Sequence, residues 1–117
     1  MKILGHHALL EFCFCKGELD NIQLIEKTLL ESAQKSGATI IKSFFHKFSP
    51  QGVSGIILIS ESHFSIHTWP EYKYASIDMF SCSNNFNLDL AINIIERTLQ
   101  PGLIKKTIIK RGTYDVQ

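Results

Sequence analysis

The chain has 117 residues, a formal net charge of +1 and a hydrophobic content of 44%. This length suffices for one core but not for two, so the sequence predicts a single domain over residues 1–117. The near-neutral charge argues against a nucleic-acid-binding protein. So high an apolar content in a small chain predicts a second buried surface, formed in a homo-oligomer.

Cysteine usage and the N-terminal sequence indicate a cytoplasmic protein. The three cysteines, Cys13, Cys15 and Cys82, are an odd number without the spacing of a disulfide scaffold. Polar residues at positions 6, 7 and 11 interrupt the first apolar run too early for a signal peptide. No apolar run is long enough to span a bilayer, so we expect no membrane insertion.

The first half of the chain predicts a strand, a helix and two further strands. Residues 2–14 form the first strand, and a helix capped by Asp20 runs to about Ser36, with Gly37 as its left-handed C-terminal residue. Residues 38–48 and 53–59 form strands joined by a turn at 49–52. Both strands are apolar at either parity, so we expect both faces of the sheet to be covered.

The second half mirrors that order. Strands are predicted at 74–80 and 104–110, with a helix at 88–99 between them. Together with the central stretch this gives the order βαββ–ββαβ. It predicts an α+β, two-layer sandwich, in which one mainly antiparallel sheet carries two helices on one face. The only basic cluster, Lys105, Lys106, Lys110 and Arg111, is interpreted as a solvated strand edge.

Functional groups are concentrated in the central stretch from Ser60 to Tyr72, which holds two carboxylates, two histidines and a tryptophan. Strand alternation places Phe64 and Ile66 on one face, and Ser65 and His67 on the other. Ser76, Asp78 and Cys82 share the face of His67 by the same rule. His67 and Cys82 are therefore predicted to face a common space on the side without helices.

Three chemistries remain open from the residues alone. A metal site is disfavoured, since His63 and His67 would lie about 13 Å apart along a strand and Cys13-x-Cys15 lacks zinc-knuckle spacing. A nucleophilic dyad of Cys82 and His67 is geometrically possible. Glu61-Ser62 is a candidate self-cleavage site, because a strained serine can attack its preceding carbonyl when a base is near.

Several ordered motifs resemble the short prokaryotic S-adenosylmethionine decarboxylase proenzyme family over nearly the whole chain. They are Met1-Lys2-x-Leu4-Gly5-x-His7, Glu11-Phe12, Ser36-Gly37-Ala38-Thr39, His46-Lys47-Phe48, Pro50-x-Gly52-Val53-Ser54-Gly55, Glu61-Ser62-His63, Ile66-His67-Thr68-Trp69-Pro70-Glu71-Tyr72, Phe80-x-Cys82 and Arg111-Gly112-x-Tyr114-Asp115.

The resemblance implies a role for each matching residue. Ser62 is the precursor of a covalent pyruvoyl group that forms a Schiff base with the substrate, and the chain is cut after Glu61 into a β chain, 1–61, and an α chain, 62–117. His67 is the processing base, Ser54 assists it, and Cys82 donates the proton to the product carbon. Phe48, Trp69, Glu71 and, more weakly, Glu11 contact the substrate. No metal is implied.

The resemblance also implies an activity and an assembly. The enzyme makes decarboxylated S-adenosylmethionine, the aminopropyl donor for spermidine synthesis, and pairs sheet against sheet as a homodimer of processed αβ units. Cys13, Lys73 and Ser83-Asn84 depart from the family pattern and bear on substrate preference. The alternatives are arginine or ornithine decarboxylation on the same pyruvoyl scaffold, and a non-enzymatic α+β binding module.

Overall fold

A computed structural model describes residues 2–114. Met1 and Asp115, which belong to the motifs above, lie outside it. The chain forms six strands and two helices in the predicted order: β1 Lys2–Cys13, α1 Ile22–Lys35, β2 Ile40–Lys47, β3 Val53–Ile59, β4 Ser62–Trp69, β5 Tyr74–Ser81, α2 Leu88–Leu99 and β6 Leu103–Tyr114.

The six strands form one sheet in the order β2-β3-β4-β5-β1-β6, and every neighbouring pair is antiparallel. The predicted α+β sandwich is confirmed. β1 pairs with β5 along one edge and with β6 along the other, so it lies between them. This interleaving places the first and last strands side by side, next to the hairpin formed by β4 and β5.

Alternation along the strands separates a covered face from an open one. On β5 the buried residues are Ala75, Ile77, Met79 and Ser81, with half-buried residues between them. The buried residues of β3 alternate in the same way, whereas Ile56 and Leu58 are about half exposed. The helices pack on the buried side. We call the other side, which carries Ile56, Leu58 and Phe44, the open face.

Asparagine side chains cap both helices. The Oδ1 atoms of Asn21 and Asn87 accept hydrogen bonds from the backbone N–H groups of Leu24 and Leu90, each at 3.1 Å. The predicted cap, Asp20, was wrong by one residue. Its carboxylate instead accepts from the Gly52 N–H at 2.7 Å and from the Lys47 ammonium at 3.0 Å, which ties the β2–β3 loop to the start of α1.

The helix C-terminus was predicted correctly at Gly37. This residue has a φ of +102°, and its N–H donates to the Gln34 carbonyl. Within residues 2–114, neither helix is long and apolar enough to cross a membrane.

Candidate active site

The turn between β3 and β4 holds the predicted cleavage site in a strained conformation. Ser60 and Glu61 make the turn, and Ile59 pairs with Ser62 across it. Ser62 has a φ of +146°, a region that side-chain-bearing residues rarely adopt. The Glu61 carbonyl accepts a hydrogen bond of 2.9 Å from the Cys82 backbone N–H. The peptide bond between Glu61 and Ser62 is therefore polarised at the Glu61 carbonyl, and the residue after it, Ser62, has a strained φ.

The Glu61 side chain adds a second anchor to this turn. Its Oε1 accepts from the Thr39 N–H at 3.1 Å, while the Ser60 N–H donates to the Thr39 carbonyl at 2.9 Å. Both bonds reach the start of β2. The turn is thus fixed from both sides, by residue 39 and by residue 82.

Ser54 and His67 meet at the other end of β4. They are directly paired across β3 and β4, and the Ser54 Oγ lies 2.7 Å from His67 Nδ1. This contact orients the imidazole ring, with Nε2 on the side of the ring that faces away from Ser54. The ring centroid of His67 lies 6.4 Å from that of Trp69, so the tryptophan belongs to the same cluster.

Glu11 joins this cluster through Tyr74, a residue that sequence reasoning did not single out. The Tyr74 hydroxyl donates to Glu11 Oε1 at 3.1 Å, and its ring lies 5.4 Å from that of Trp69. Desolvation, followed by the hydrogen bond to the Glu11 carboxylate, raises the pKa of Tyr74 above its usual value. The tyrosine therefore stays protonated as the donor that orients Glu11.

The remaining two predicted substrate contacts flank the same end of the sheet. Phe48 follows β2, is 46% exposed and donates its N–H to the Gly52 carbonyl at 2.8 Å. Glu71 lies in a single 3₁₀ turn, Pro70–Tyr72, that Lys73 closes with a φ of +51°. We call the group of Ser54, His67, Trp69, Glu11 and Tyr74, with Phe48 and Glu71 beside it, the tryptophan end.

The two predicted groups of site residues lie at opposite ends of β4. Ser62 pairs with Ser81, next to Cys82, whereas His67 pairs with Ser76. Five residues of strand separate Ser62 from His67, about 16 Å between their Cα atoms. The face predicted for His67 is correct, but it shares no space with Cys82 in one chain. A Cys82–His67 dyad within one subunit is thereby ruled out.

A polar cluster centred on Asp78 adjoins the cleavage site, and its side chains come from four strands. Asp78 Oδ2 lies 2.5 Å from His7 Nε2 and 2.9 Å from His63 Nε2, and its Oδ1 accepts from the Ser65 hydroxyl. Arg111 contacts His7 Nδ1 through Nη1 at 3.3 Å. We call Glu61, Ser62 and Cys82, together with this cluster, the hairpin end.

Sequence reasoning placed Asp78 on the open face but gave it no role. The available signal was a carboxylate between Ile77 and Met79, inside an otherwise apolar strand. Its partners were not predictable, because they come from strands whose register is set by the whole sheet. Asp78 and His7 lie on neighbouring strands of the sheet but 71 residues apart in the chain.

The same three groups could in principle hold a metal ion. Among the residues that the structure describes, one nitrogen each of His7 and His63 and one oxygen of Asp78 lie within 4.8 Å of one another. A guanidinium only donates, so His7 Nδ1 must accept from Arg111 and the proton of the neutral ring sits on Nε2. That nitrogen then donates to Asp78 and has no free lone pair, which favours a hydrogen-bonded cluster over a metal centre.

Comparison with known proteins agrees with this fold and site. The structure superposes on the crystal structure of the adenosylmethionine decarboxylase from Aquifex aeolicus with a TM-score of 0.91, at 30% identity, covering 100% of this chain and 98% of the other. Such a match defines the class of protein: an α+β sandwich built like a decarboxylase of this type.

The sequence narrows the class to one family. The S-adenosylmethionine decarboxylase profile matches residues 6–112. The S-adenosylmethionine decarboxylase proenzymes of Thermotoga petrophila and Caldicellulosiruptor saccharolyticus are each 47% identical over 116 residues, 98% of this chain, and the match covers 89% and 94% of their lengths. The chain belongs to the S-adenosylmethionine decarboxylase family, and the predicted assignment to the decarboxylases, which are carboxy-lyases, is confirmed.

Proposed function

We propose that the protein cuts itself between Glu61 and Ser62, converts Ser62 into a pyruvoyl group and decarboxylates S-adenosylmethionine. Its product is then the aminopropyl donor for spermidine synthesis. The observation that carries the proposal is the state of the scissile bond. Ser62 is held at a φ of +146°, and the Cys82 N–H donates a hydrogen bond to the Glu61 carbonyl that the Ser62 hydroxyl must attack.

The residues at the hairpin end fit the formation of this group. Attack of Ser62 Oγ on the Glu61 carbonyl carbon gives a tetrahedral intermediate with negative charge on the carbonyl oxygen. The Cys82 N–H, 2.9 Å from that oxygen, stabilises the charge as it forms. Breaking of the C–N bond then leaves an ester and a free amine on Ser62. Removal of the Ser62 α proton then breaks the Cβ–Oγ bond of Ser62, so Glu61 leaves with a main-chain carboxylate, and water hydrolyses the resulting dehydroalanine to the pyruvoyl group and ammonia.

The base for the proton removal comes from a second copy of the chain in this proposal. His67 lies about 16 Å along β4 from the Ser62 of its own chain, beyond the reach of the two side chains. Ser54 orients its ring through Nδ1, so Nε2 is the atom that takes the proton. A two-fold axis on the open face would bring the tryptophan end of one copy over the hairpin end of the other.

The same pairing completes the substrate pocket. Trp69 stands seven residues from Ser62 along β4, about 23 Å, further than one substrate molecule reaches. The aromatic rings of Phe48 and Trp69 suit the adenine and the sulfonium, and cation–π attraction contributes about 2 kcal/mol when the cation is desolvated. Glu71 and Glu11 offer carboxylates to the ribose hydroxyls. Exposed Phe44, Ile56 and Leu58 on the open face supply the apolar surface of the dimer.

The pyruvoyl group, once formed, supplies an electron-accepting carbonyl for loss of carbon dioxide. The side chains supply position and protons. Cys82 is exposed and begins the loop after β5, beside the Glu61 carbonyl. In this proposal its thiol delivers the proton to the product carbon, and its backbone N–H serves the earlier cleavage. One residue thus acts twice, through two different groups.

The denatured mass spectrum of freshly purified protein tests the cleavage. We expect two fragments dividing between Glu61 and Ser62, the second beginning with a pyruvoyl group. Ser62→Ala should remain one intact chain of 13.3 kDa. An intact wild-type chain after long incubation would contradict the proposal and favour a non-enzymatic binding module.

Release of carbon dioxide from three substrates, measured side by side, tests the specificity. We expect turnover of S-adenosylmethionine, because arginine and ornithine have neither an adenine for Trp69 nor a ribose for Glu71. Turnover of arginine or ornithine alone would keep the pyruvoyl chemistry and overturn the substrate. Phe48→Ala is the matched variant, since it should weaken only the adenosyl substrate.

A further inference from the structure

Asp78 is the shared acceptor of three donors at the hairpin end. Its Oδ2 faces the Nε2 atoms of His7 and His63, and its Oδ1 accepts from Ser65. A carboxylate has about four acceptor sites, so one ionised side chain can satisfy all three donors. His7, His63 and Asp78 are only partly exposed, at 15%, 30% and 21% of their side chains, which shields these bonds from water.

Arg111 and Phe80 fix the other side of this cluster. The Arg111 guanidinium donates to His7 Nδ1 and lies 4.7 Å from the centroid of the Phe80 ring. Since the arginine holds His7 Nδ1 as an acceptor, the histidine presents its Nε2–H to Asp78. The direction of each hydrogen bond is therefore set from Arg111 through His7 to Asp78.

His63 links this cluster to the reacting centre. It directly follows Ser62, so its backbone nitrogen carries whatever group residue 62 becomes. In the intact chain the Ser60-Glu61 turn tethers Ser62 to β3. A cut after Glu61 removes that tether and makes residue 62 a chain end, and chain ends fray unless they are tied down.

We infer that Asp78 is a positioning residue, which holds His63 and thereby keeps the pyruvoyl end of the cut chain in place. His63 and Asp78 are diagonal neighbours on β4 and β5, close enough for a direct side-chain bond across the strands. His7 and Arg111 keep Asp78 aimed at His63. The inference rests on the proposed function, because the chain end that His63 holds exists only after cleavage.

Asp78→Asn tests the inference with almost no change in shape. Both histidine N–H groups bond the same oxygen, and the uncharged amide oxygen of asparagine is a weaker acceptor than the carboxylate, so the variant weakens these bonds without leaving a void. We expect cleavage within about threefold of the wild-type rate, because the uncut turn still holds Ser62. Turnover by the cut enzyme should fall about tenfold in kcat, with KM changed less than twofold. Asp89→Asn, an exposed carboxylate on α2, is the matched control and should change neither step.

A double-mutant cycle with His63→Ala tests whether Asp78 acts through His63. The double variant should be no slower than the slower single variant. Multiplicative losses would overturn the inference, and so would an unchanged kcat or an equal loss in cleavage and turnover with a lowered melting temperature. Loss of wild-type activity on chelation, restored by Zn²⁺, would replace it with a metal centre.

The proposed function can fail separately from this inference. If the wild-type chain stays intact or releases no carbon dioxide, the proposed function is wrong. If the wild type is cut and active while Asp78→Asn is equally active, only the role of Asp78 is wrong. The wild-type measurements therefore precede the variants.

Discussion

The hairpin end and the tryptophan end lie at the two ends of one strand, β4, yet they are built differently. At the hairpin end a strained backbone and a single carboxylate with three donors hold the geometry. At the tryptophan end aromatic rings are placed by two separate hydrogen bonds, from Tyr74 to Glu11 and between Ser54 and His67. The first suits a reaction at a fixed point, and the second suits recognition of a flat, cationic ligand.

Neither end holds a complete set of groups for the proposed chemistry. The hairpin end has the cleavable bond and the thiol, whereas the tryptophan end has the base and the aromatic contacts. The distance along β4 keeps them apart in one chain. We therefore expect a composite site with one end from each of two copies, and variants at either end should separate the two contributions.

Mixing two inactive variants should give the largest effect. Ser62→Ala lacks the cleavable serine and His67→Ala lacks the base, so each homodimer should stay uncut and inactive. In mixed dimers one site regains both groups, and random pairing should restore about a quarter of wild-type activity. Co-expressed, separately tagged chains, assayed for cleavage and carbon dioxide release, provide the measurement.

The control for this experiment puts both changes on one chain. Ser62→Ala combined with a Ser62→Ala/His67→Ala chain has no serine to cleave and should stay inactive. Normal cleavage of His67→Ala alone, or no recovery in true mixed dimers, would show that the two ends do not work together across an interface.

Cys82→Ala should separate the two roles assigned to that residue. Alanine keeps the backbone N–H that holds the Glu61 carbonyl, so cleavage should proceed. Loss of the thiol should lower kcat by about a hundredfold, the size typical of a missing general acid. Fragment masses and turnover are measured on the same sample. Cys13→Ala, a half-buried thiol at the end of β1, is the matched control. An uncut Cys82→Ala chain would assign the thiol to processing instead.

Tyr74→Phe should weaken only the tryptophan end. Its hydroxyl orients the Glu11 carboxylate, so its loss should raise KM for S-adenosylmethionine about fivefold while kcat and cleavage stay unchanged. Steady-state kinetics give both constants. Tyr72→Phe, at a residue that is 75% exposed, serves as the control. A lower kcat without a change in KM would place Glu11 with the chemistry rather than with binding.

Asp20→Asn should have the smallest effect, on stability and its pH dependence. Hydrogen bonds from the Gly52 N–H and from Lys47 lower the pKa of Asp20. A lowered folded-state pKa stabilises the protein above the ordinary aspartate pKa, and that contribution disappears as the pH falls through the folded value. The variant should melt slightly below the wild type at pH 7, and the gap should close in acid. A gap independent of pH, or the same loss in Glu96→Gln, would contradict this assignment.

The sequence predicted the layer order and the faces of the central strands, because both follow from local periodicity. Phe64 and Ile66 are buried, and Ser65 and His67 lie on the open face. Position along the strands was harder to predict. The separation of Ser62 and His67 by five residues on one strand was visible in the sequence. The prediction that His67 and Cys82 face a common space assumed that residues of the same parity also lie close together.

Residues that act through distant partners were missed for a different reason. Asp78 and Tyr74 gain their roles from His7 and Glu11 on β1, more than 60 residues earlier in the chain. No local pattern encodes that pairing. Even the Asp20 cap failed in this way, since a loop 32 residues later engages the carboxylate.

The interleaved strand order has a consequence for what cleavage does to the molecule. Residues 1–61 would carry β1, α1, β2 and β3, and residues 62–117 would carry the rest. Because β1 lies between β5 and β6, and β3 pairs with β4, the two fragments would interlock along three strand boundaries. Such a cut would break one peptide bond and leave the two fragments paired along these strands. Cleavage would therefore change the chemistry at residue 62 without dividing the fold, and only unfolding would separate the fragments.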